Sequence, residues 1–415
     1  MLKVAIITPL SLDSDTRSYK QACSVYTVGF DTTVVELFKS SIEFHEGFKI
    51  ISLNNKSSTF SNGSSRVSKI QKYKNWLKKN EHKLPFGIKQ LLYFVSLLLF
   101  IINYLWKYNI SYIFKVPKAD LYILHAYHQF LLILIKSKLS GAKYIYEAHD
   151  FYSDLNKSMD LTEFEQKWLG PFYDFYERIC IRYCYKLITV TEGISDLYEK
   201  EFNIKPIVIR NVQDFRKQFS PPIGLREMLS LKNDDILLVI IGQAKKGMAL
   251  DQVVKAISKL PENVYLALIG KNFESLKNLI SEQGLSHKIF FPGPVGANQV
   301  IKFVASADIS IISYYALSIN YYFSLPNGLF QSIGANLAVL YPNLPEISKI
   351  GNKYEIGLTI DPLDSEDIYK KIMILLNNKN LLQQYKDNCK NANIALSWEE
   401  EEKVLLKLVS ESFLN

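Results

Sequence analysis

The sequence predicts an α/β protein made of two doubly wound parallel sheets in succession. Apolar runs of strand length alternate with amphipathic helical stretches, pause at a polar connector over residues 211–235, and then start again. A chain of 415 residues with 48% hydrophobic residues is too long for one compact core and too apolar for disorder. Two domains are therefore expected, with ligands bound beyond the carboxyl ends of the strands.

The first half contains six runs with the length and composition of buried strands. They are KVAIITP, TTVVEL, DLYILHA, KYIYEAH, KLITVT and KPIVIRN. Residues 16–28 and 129–139 are amphipathic and predict helices between the strands. The apolar start, MLKVAIITPL, is too short for a signal peptide and runs into acidic residues, so we interpret it as the first strand.

The second half repeats this pattern and ends in helices. Its predicted strands are DILLVIIG, VYLALIG, KIFFPG, ISIIS and LAVLYP, with helices over residues 249–260, 273–283 and 299–306. The predicted domains are 1–210, a linker over 211–235, and 236–395. A last helix, 396–415, is expected to pack back on the N-terminal domain, and its acidic run 399–402 to form a solvated face.

The net charge of +8 comes from one segment of the chain. Residues 56–90 contain nine basic residues and one acidic residue, Glu81, and the charges of all other residues sum to zero. This distribution excludes a uniformly cationic surface for nucleic acid, and no nucleic-acid partner is predicted. The local basic patch could face phosphates, a membrane surface or water.

The most apolar stretch, residues 91–102, directly follows the basic window. Twelve residues fall short of the ~20 needed to span a bilayer, so the stretch predicts either a buried core helix or a helix on a membrane surface. Within the N-terminal domain, the basic and apolar segment 56–106 is the candidate for peripheral contact with anionic lipid. Both interpretations stay open.

Four cysteines give neither a disulfide framework nor a paired metal motif, and a reducing cytoplasm fits best. Cys180 and Cys184 lie four residues apart among apolar residues, which favours a buried helix face.

Asp13-Ser-Asp15 imitates a metal-binding D-x-D motif, but its place after the first strand favours a loop and helix cap. No metal and no cofactor are predicted.

Three predicted strands of the second half end in glycine, at Gly242, Gly270 and Gly293. Glycine lets backbone N–H groups approach a ligand without a Cβ atom in the way. The first loop, 242–247, adds Lys245 and Lys246 beside a predicted helix N-terminus, where a diphosphate would be stabilised. The loop lacks the Lys-Ser/Thr ending of a P-loop, which disfavours an ATPase of that class.

The segment SLPNGLFQSIG, residues 324–334, is the most informative in the chain. Pro326-Asn-Gly328 predicts a turn into a helix whose first N–H groups can receive an anion. Gln331 follows one turn later and could direct its amide at ribose hydroxyls. A structural turn explains the proline and the glycine but not the whole combination.

As a set, the motifs resemble family 4 of the retaining glycosyltransferases, whose GT-B arrangement has two Rossmann-like domains facing a central cleft. The resemblance runs over nearly the full length. It is carried by DTR at 15–17, GFDTTVV at 29–35, YEAHDFY at 146–152, ITVTE at 188–192, IRN at 209–211, the loop 242–247 and SLPNGLFQSIGANLAV at 324–339.

The resemblance implies three catalytic residues and a donor-binding set. His149 would contact the donor sugar or the reacting centre, Asp150 would orient His149 or bind the acceptor, and Arg17 would face the cleft unless it forms a surface salt bridge. The implied donor-binding residues are Gly242, Gln243, Lys245, Lys246, Gly247, Gly270, Gly293, Val295, Pro326, Asn327, Gly328, Leu329 and Gln331.

The sequence departs from the family pattern at several positions. The paired glutamates of the family fall on Phe323 and Gln331, so neither position is a carboxylate. Gly328 replaces the lysine usual after Pro-Asn, and Leu12-Asp13 replaces a glycine pair. Gln331 keeps the ability to hydrogen-bond ribose, but an acceptor-only anion is lost.

The function implied is transfer of a sugar, with retention of configuration, from a nucleotide sugar to a glycan or lipid-linked acceptor in surface polysaccharide or glycoconjugate synthesis. UDP- or GDP-sugars are the expected donors. The expected location is the cytoplasm, with peripheral contact at the inner face of the membrane. A GT-B sugar-nucleotide epimerase and a non-catalytic glycosyltransferase-like partner are the alternatives.

Overall fold

The computed structural model describes residues 1–41, 47–57, 85–153 and 163–414. These residues form two compact units. Unit 1 comprises Met1–Thr189, Tyr198–Ile207 and Leu405–Asn415, and unit 2 comprises Val190–Leu197 and Val208–Val404. Residues 211–235, predicted as a linker, lie within unit 2, and the end of the last helix lies within unit 1.

Unit 1 is built on a seven-stranded sheet in the order β3-β2-β1-β4-β5-β6-β7. The strands β1 to β6 pair in parallel. Their bounds are β1 Lys3–Thr8, β2 Asp31–Lys39, β3 Lys49–Ser57, β4 Leu121–His125, β5 Lys143–Glu147, β6 Lys186–Thr189 and β7 Ile207–Val208. Strand β3 was not predicted, because KIISLNNKS has only three apolar residues, ends in a polar run and lies at the edge of the sheet.

The helices of the first half lie between these strands, as in other doubly wound sheets. They are α1 Thr16–Thr27, α2 Phe86–Tyr108, α3 Phe130–Ser140, α4 Glu163–Tyr183 and α5 Glu192–Phe202. Asp15 caps α1, and its side chain accepts a hydrogen bond from the Ser18 N–H. The predicted role of Asp15 as a helix cap is confirmed.

Unit 2 has a six-stranded parallel sheet in the order β10-β9-β8-β11-β12-β13. Its strands are β8 Ile236–Gln243, β9 Val264–Lys271, β10 Ile289–Gly293, β11 Ile309–Ile311, β12 Ala338–Pro342 and β13 Gly357–Ile360. The sequence interpretation missed the short strand β13.

The helices of unit 2 cover both faces of its sheet. They are α6 Leu225–Met228, α7 Leu250–Ile257, α8 Lys277–Glu282, α9 Val300–Val304, α10 Ile319–Tyr322, α11 Asn327–Gly334, α12 Pro345–Tyr354, α13 Ser365–Asn377, α14 Lys379–Ala395 and α15 Trp398–Leu414, the last of which ends in unit 1. Leu238 and Ile240 of β8 enter one apolar core, and Leu237 and Val239 enter the other. This alternation explains why the strand is apolar throughout.

Each sheet order reverses direction once, between β1 and β4 in unit 1 and between β8 and β11 in unit 2. At such a switch point the connections leave on opposite faces of the sheet, and a crevice forms beyond the strand ends. The residues that follow β1, β4, β8 and β11 are therefore the first candidates for ligand contact.

The acidic run 399–402 is not a solvated face, and that prediction was wrong. Glu401 is buried, and its carboxylate accepts hydrogen bonds from the backbone N–H and the Nε of Arg210, at 2.9 and 2.5 Å. Glu402 accepts from both terminal nitrogens of Arg216 at 2.8 and 3.0 Å. Paired arginines within unit 2 thus account for the negative charge at the start of α15.

Helix α2 is longer and more exposed than the apolar run predicted. It spans 23 residues because the helix continues through Tyr108, and by length and composition the stretch Gln90–Tyr112 is apolar enough to cross a membrane. Eight apolar side chains along one side are exposed: Ile88, Leu91, Phe94, Val95, Leu98, Leu99, Ile102 and Trp106. A fully buried core helix is therefore excluded, while residues 58–84 of the basic window lie outside the described residues.

A buried carboxyl group, Glu177 of α4, lies in the core of unit 1. Its Oε1 accepts hydrogen bonds from the hydroxyls of Tyr146 and Tyr198 at 2.8 and 2.7 Å. Burial raises the pKa of Glu177 to about 7, against the two hydrogen bonds that lower it. The folded unit therefore holds a proton on Glu177 under conditions in which an unfolded chain would release it.

Glu177→Gln removes this ionisation and keeps an acceptor oxygen for both tyrosines. The pKa of Glu177 is higher in the folded chain than its ordinary value of 4.5. Ionisation of Glu177 therefore lowers the stability of the wild-type chain as the pH rises from 4.5 through 7, and the variant lacks this contribution. Between about pH 5 and pH 8 we expect the variant to gain roughly 2 kcal/mol in free energy of unfolding over wild type, measured by chemical denaturation. Glu199→Gln, at a half-exposed site paired with Lys205, is the control. If the difference in free energy of unfolding between Glu177→Gln and wild type did not change with pH, the raised pKa of Glu177 would be contradicted.

Candidate functional site

A buried ion pair lies at the switch point of unit 1. Glu147 is the last residue of β5, and Arg17 lies in the first turn of α1. The Arg17 Nε donates to Glu147 Oε1, and the Gln21 amide donates to Glu147 Oε2 at 2.7 Å. Arg17 and Gln21 are one helical turn apart, so both reach the same carboxylate. The alternative of a surface salt bridge for Arg17 was wrong, because its side chain is only 3% exposed.

The charges around Glu147 keep its carboxyl group ionised. Burial acts to raise its pKa, but Arg17, His125 and His149, together with the Gln21 hydrogen bond, outweigh burial and lower the pKa to about 2. The carboxylate is a fixed negative charge at neutral pH and is not poised to exchange a proton.

Two histidines complete this cluster. His125 ends β4, and His149 follows β5 by two residues. His125 Nδ1 lies 2.9 Å from His149 Nε2, and Glu147 Oε1 lies 3.8 and 3.7 Å from these two nitrogens. The His125 ring is fully buried, whereas the His149 side chain is 28% exposed. His149 is therefore the histidine of this pair that a ligand can reach.

The backbone between the two histidine positions is held in an unusual conformation. Ala126, directly after β4, has φ of 58°, in the left-handed region that alanine rarely adopts. Its N–H donates to the Glu147 carbonyl at 3.0 Å, which ties the end of β4 to the end of β5. This bond fixes the position of the His125 side chain relative to Glu147.

Asp15 adds a second buried carboxylate beside the histidines. It accepts hydrogen bonds from the hydroxyls of Thr8 and Ser18, both at 2.6 Å. Burial acts to raise its pKa, but His125, His149 and these hydrogen bonds outweigh burial and lower the pKa to about 2. Asp150 is half-buried, and its backbone carbonyl accepts a hydrogen bond from Tyr198 at 3.1 Å.

The distances among His125, Glu147 and His149 are short enough for the three side chains to share a metal ion. Glu147 Oε1, however, already receives the Arg17 guanidinium, and the two ring nitrogens are at hydrogen-bonding distance. A divalent cation would have to displace or approach a buried positive charge. The arrangement fits a hydrogen-bonded pair of histidines better than a metal centre.

In unit 2 the loop after β8 is shaped by close backbone contacts. Gly242 and Gly270 are register partners on β8 and β9, and a Cβ on Gly270 would lie 1.5 Å from the Gly242 carbonyl oxygen. Packing alone therefore requires glycine at 270. Gly293, with φ of 87°, ends β10, and Val295 packs against a core of the unit.

Lys245 is the cation of this loop that aromatic rings surround. Its ammonium lies 5.3 Å from the ring centroid of Tyr314 and 5.1 Å from that of Tyr321. The Tyr321 hydroxyl donates to the Lys246 carbonyl at 2.9 Å, and its ring lies where a Cβ on Gly247 would clash. Gln243, Lys245 and Lys246 are exposed. The loop thus holds two cations at the switch point of unit 2.

The start of α11 lies against the end of β8. A Cβ on Gly328 would come within 2.7 Å of the Ile241 carbonyl oxygen, which explains why glycine stands at this position. Pro326 offers no side-chain acceptor to the first turn of α11, and of the N–H groups there the one of Leu329 donates to the Pro326 carbonyl at 3.0 Å. Asn327 accepts a hydrogen bond from Asn211 at 3.0 Å, while the Leu329 side chain is buried. The structure therefore brings the loop 242–247 and the start of α11 together.

The two positions that lack carboxylates differ in their surroundings. The Phe323 carbonyl accepts a hydrogen bond from Thr191 at 2.9 Å, and the Phe323 ring lies against Gly193, where a Cβ would come within 2.1 Å. Gln331 is half-buried in α11. Phe323 is thus a packing residue within unit 2.

The sequence interpretation missed four residues of these sites: His125, Glu147, Tyr314 and Tyr321. His125 is the last residue of strand β4 and Glu147 the last residue of strand β5, and a polar residue at the end of an apolar strand was the available signal. Tyr314 and Tyr321 gave no signal, since tyrosine is common in this chain. A cavity of about 480 Å³ at the ends of β11, β12 and β13 shares Tyr314 with this region.

Comparison with known proteins finds similarity chiefly in the second half of the chain. Residues 225–392 match the family model described as Glycosyl transferases group 1. Over 244 residues the chain is 25% identical to MJ1069, an uncharacterized glycosyltransferase of Methanocaldococcus jannaschii. The match covers 55% of this chain and 59% of that relative, so it spans about three fifths of the relative's length.

Solved structures show the same fold over nearly the whole chain. The sucrose-phosphate synthase of Thermosynechococcus elongatus aligns with a TM-score of 0.71 at 12% identity, over 100% of both chains. Anabaena HepE, solved with UDP-glucose, aligns with 0.66 at 12% identity over 99% of this chain and 100% of that chain. WaaG, a glycosyltransferase involved in lipopolysaccharide biosynthesis, aligns with 0.63 at 16% identity over 97% and 98%. The predicted fold class, two Rossmann-like domains of the GT-B type, is confirmed.

Proposed function

We propose that the protein is a metal-independent, retaining glycosyltransferase of family 4 that moves a sugar, a hexose or a related one, from a nucleotide sugar to a glycan or lipid-linked acceptor. The observation that carries the proposal is the glycosyl transferases group 1 domain over residues 225–392, whose switch point holds two lysines beside a helix N-terminus. UDP- and GDP-sugars are the proposed donors, and the similarity to HepE, solved with UDP-glucose, supports the first of them.

The chemistry of the donor site follows from the charge that develops on the leaving diphosphate. Lys245, Lys246 and the first N–H groups of α11 present positive charge and hydrogen-bond donors at one place in unit 2. Such fixed groups stabilise a departing anion without reorganisation. We propose that they bind the diphosphate, and that Gln331 bonds the ribose.

The acceptor is assigned to the N-terminal domain. His149, half-buried beside the fixed charge of Glu147, is the proposed contact to the reacting sugar, and Asp150 follows it in the chain. Arg17 acts through Glu147, because its buried guanidinium binds that carboxylate. In a retaining reaction the acceptor attacks from the leaving-group face, which requires a stabilised diphosphate more than a strong base.

A non-catalytic, glycosyltransferase-like partner is the second candidate. Phe323 packs against Gly193 and Gln331 is neutral, so neither supplies a carboxylate to a bound donor. In that case nucleotide sugars would either fail to bind or bind without turnover.

We further propose that α2 lies at the surface of an anionic membrane, on the cytoplasmic face. One side of the helix packs on unit 1, where Tyr104 contacts the rings of Phe172, Tyr173 and Tyr176. The opposite side exposes aliphatic and aromatic residues instead of charges. A helix held against a folded domain in this way can insert its apolar side at a lipid interface, and the basic window would add attraction to anionic lipid. An acceptor anchored in lipid would then be close to its enzyme, as surface polysaccharide or glycoconjugate synthesis requires.

Lys246→Ala and Gln331→Ala are each expected to weaken nucleotide-sugar binding. Loss of a charge-assisted hydrogen bond to the diphosphate should reduce affinity about tenfold or more, and loss of the amide at ribose about fivefold. Isothermal calorimetry with UDP-glucose and GDP-mannose measures both effects. Comparison of Lys245→Ala with Lys246→Ala shows which of the two lysines binds the diphosphate.

Lys255→Ala, on the exposed side of α7 beside Asp251, is the matched control and should bind as wild type does. Unchanged affinity in both Lys246→Ala and Gln331→Ala would overturn the donor-site assignment.

Leu98→Glu combined with Ile102→Glu is expected to weaken vesicle binding by α2. Each leucine or isoleucine contributes on the order of 1.5 kcal/mol when buried, so partitioning should fall by at least about tenfold. Flotation with phosphatidylglycerol-containing vesicles at low and high salt measures the effect. Leu139→Glu, an exposed leucine on α3, should leave flotation unchanged.

Equal flotation of the α2 variant and wild type would contradict the membrane role of this helix. Salt-sensitive binding that survives deletion of residues 56–90 would show that the basic window does not supply the electrostatic attraction.

A further inference from the structure

His125 is a buried histidine that the proposed reaction does not use directly. It lies at the switch point of unit 1, and its ring is fully buried at the end of β4. The ring touches His149, the histidine proposed to contact the reacting sugar, through a 2.9 Å contact between His125 Nδ1 and His149 Nε2. One of these two nitrogens must donate a proton and the other must accept it.

The surroundings of His125 determine which nitrogen donates. Burial lowers the pKa of His125 to about 4, so the ring is neutral near pH 7 and carries one proton. Among the described residues, His125 Nε2 is buried and has no hydrogen-bond partner. A buried N–H without an acceptor is more rarely tolerated than a buried lone pair. The proton therefore belongs on Nδ1, which faces both His149 Nε2 and, at 3.8 Å, the carboxylate of Glu147.

We infer that His125 is a positioning residue that donates its Nδ1–H to His149 Nε2 and thereby fixes His149 as the tautomer protonated on Nδ1. Because Nε2 of His149 is occupied as an acceptor, a ring proton of His149 must lie on the other nitrogen. His149 then offers a substrate an N–H donor and no free lone pair. A group of this kind can bind a sugar hydroxyl or carbonyl-like oxygen as an acceptor but cannot remove its proton.

The rest of the cluster keeps this arrangement rigid. Glu147 accepts from Arg17 and Gln21, and the Ala126 N–H donates to the Glu147 carbonyl at 3.0 Å, so both strand ends that carry the histidines are linked. The charge of Glu147, 3.7 Å from His149 Nε2, is held in place by Arg17. The hydrogen-bond direction is thus set by buried groups that a ligand does not touch.

Nitrogen-15 NMR of the full chain, labelled at its six histidines, tests the inference directly. Long-range nitrogen–proton spectra distinguish a protonated ring nitrogen from an unprotonated one, and His149→Gln assigns the His149 signals. We expect His149 and His125 both to be protonated on Nδ1 near pH 7. A proton on His149 Nε2 would overturn the inference, and this measurement needs neither substrate nor a variant at 125.

His125→Asn and His125→Leu provide a matched pair. The asparagine amide can place an N–H close to that of Nδ1, so His149 should keep its tautomer, whereas leucine has no donor and should release His149 to the Nε2-protonated form. Circular dichroism melts confirm that each variant is folded. The same His149 tautomer in both variants would contradict the inference.

The kinetic arm rests on the proposed transferase function. There His125→Leu should lower kcat/KM by about 10- to 100-fold and change its pH profile, while His125→Asn stays near wild type. Equal profiles for the two variants would contradict a positioning role. Absence of any turnover in the wild type would count against the proposed function alone, because the NMR result stands without it.

Discussion

The buried ion pair between Arg17 and Glu147 is the interaction on which the N-terminal site depends. It joins the start of α1 to the end of β5 and holds an ionised carboxylate beside two histidines. Removing one partner of such a pair leaves an uncompensated buried charge and typically costs about 3–5 kcal/mol. Position 17 therefore requires an arginine and position 147 a carboxylate. The His149 ring is oriented by the Glu147 carboxylate and by His125.

The second domain depends on a different constraint, close approach of backbone to backbone. Gly270 lies against the Gly242 carbonyl oxygen and Gly328 against the Ile241 carbonyl oxygen, so β8, β9 and the start of α11 approach more closely than a Cβ at 270 or 328 would allow. The exposed loop with Lys245 and Lys246 follows β8 directly, and we propose that it binds a diphosphate beside the start of α11. Glycine is needed at 328 because α11 begins close to the Ile241 carbonyl oxygen.

The fold was largely predictable because its strands are buried on both faces and read as continuous apolar runs. The exceptions, β3 and β13, are edge strands whose exposed positions dilute that signal. Sequence motifs pointed to His149 and the loop 242–247, and the part of both in a ligand site stays a prediction. His125 was missed, since a lone histidine at a strand end becomes meaningful only when a second one is found 2.9 Å away. The length of α2 was underestimated because the prediction counted an apolar run and not the polar residues that continue the helix.

The central claim is that this chain transfers sugar from a nucleotide donor, and incubation with a panel of UDP-, GDP-, dTDP- and CMP-sugars tests it most directly. When no acceptor is present, water can take its place and release the sugar slowly from a bound donor. The account predicts such release from one member of the panel, with the anomeric configuration retained in the first product seen by proton NMR. Formation of a new nucleotide-sugar isomer, or no binding and no release with any member, would contradict it.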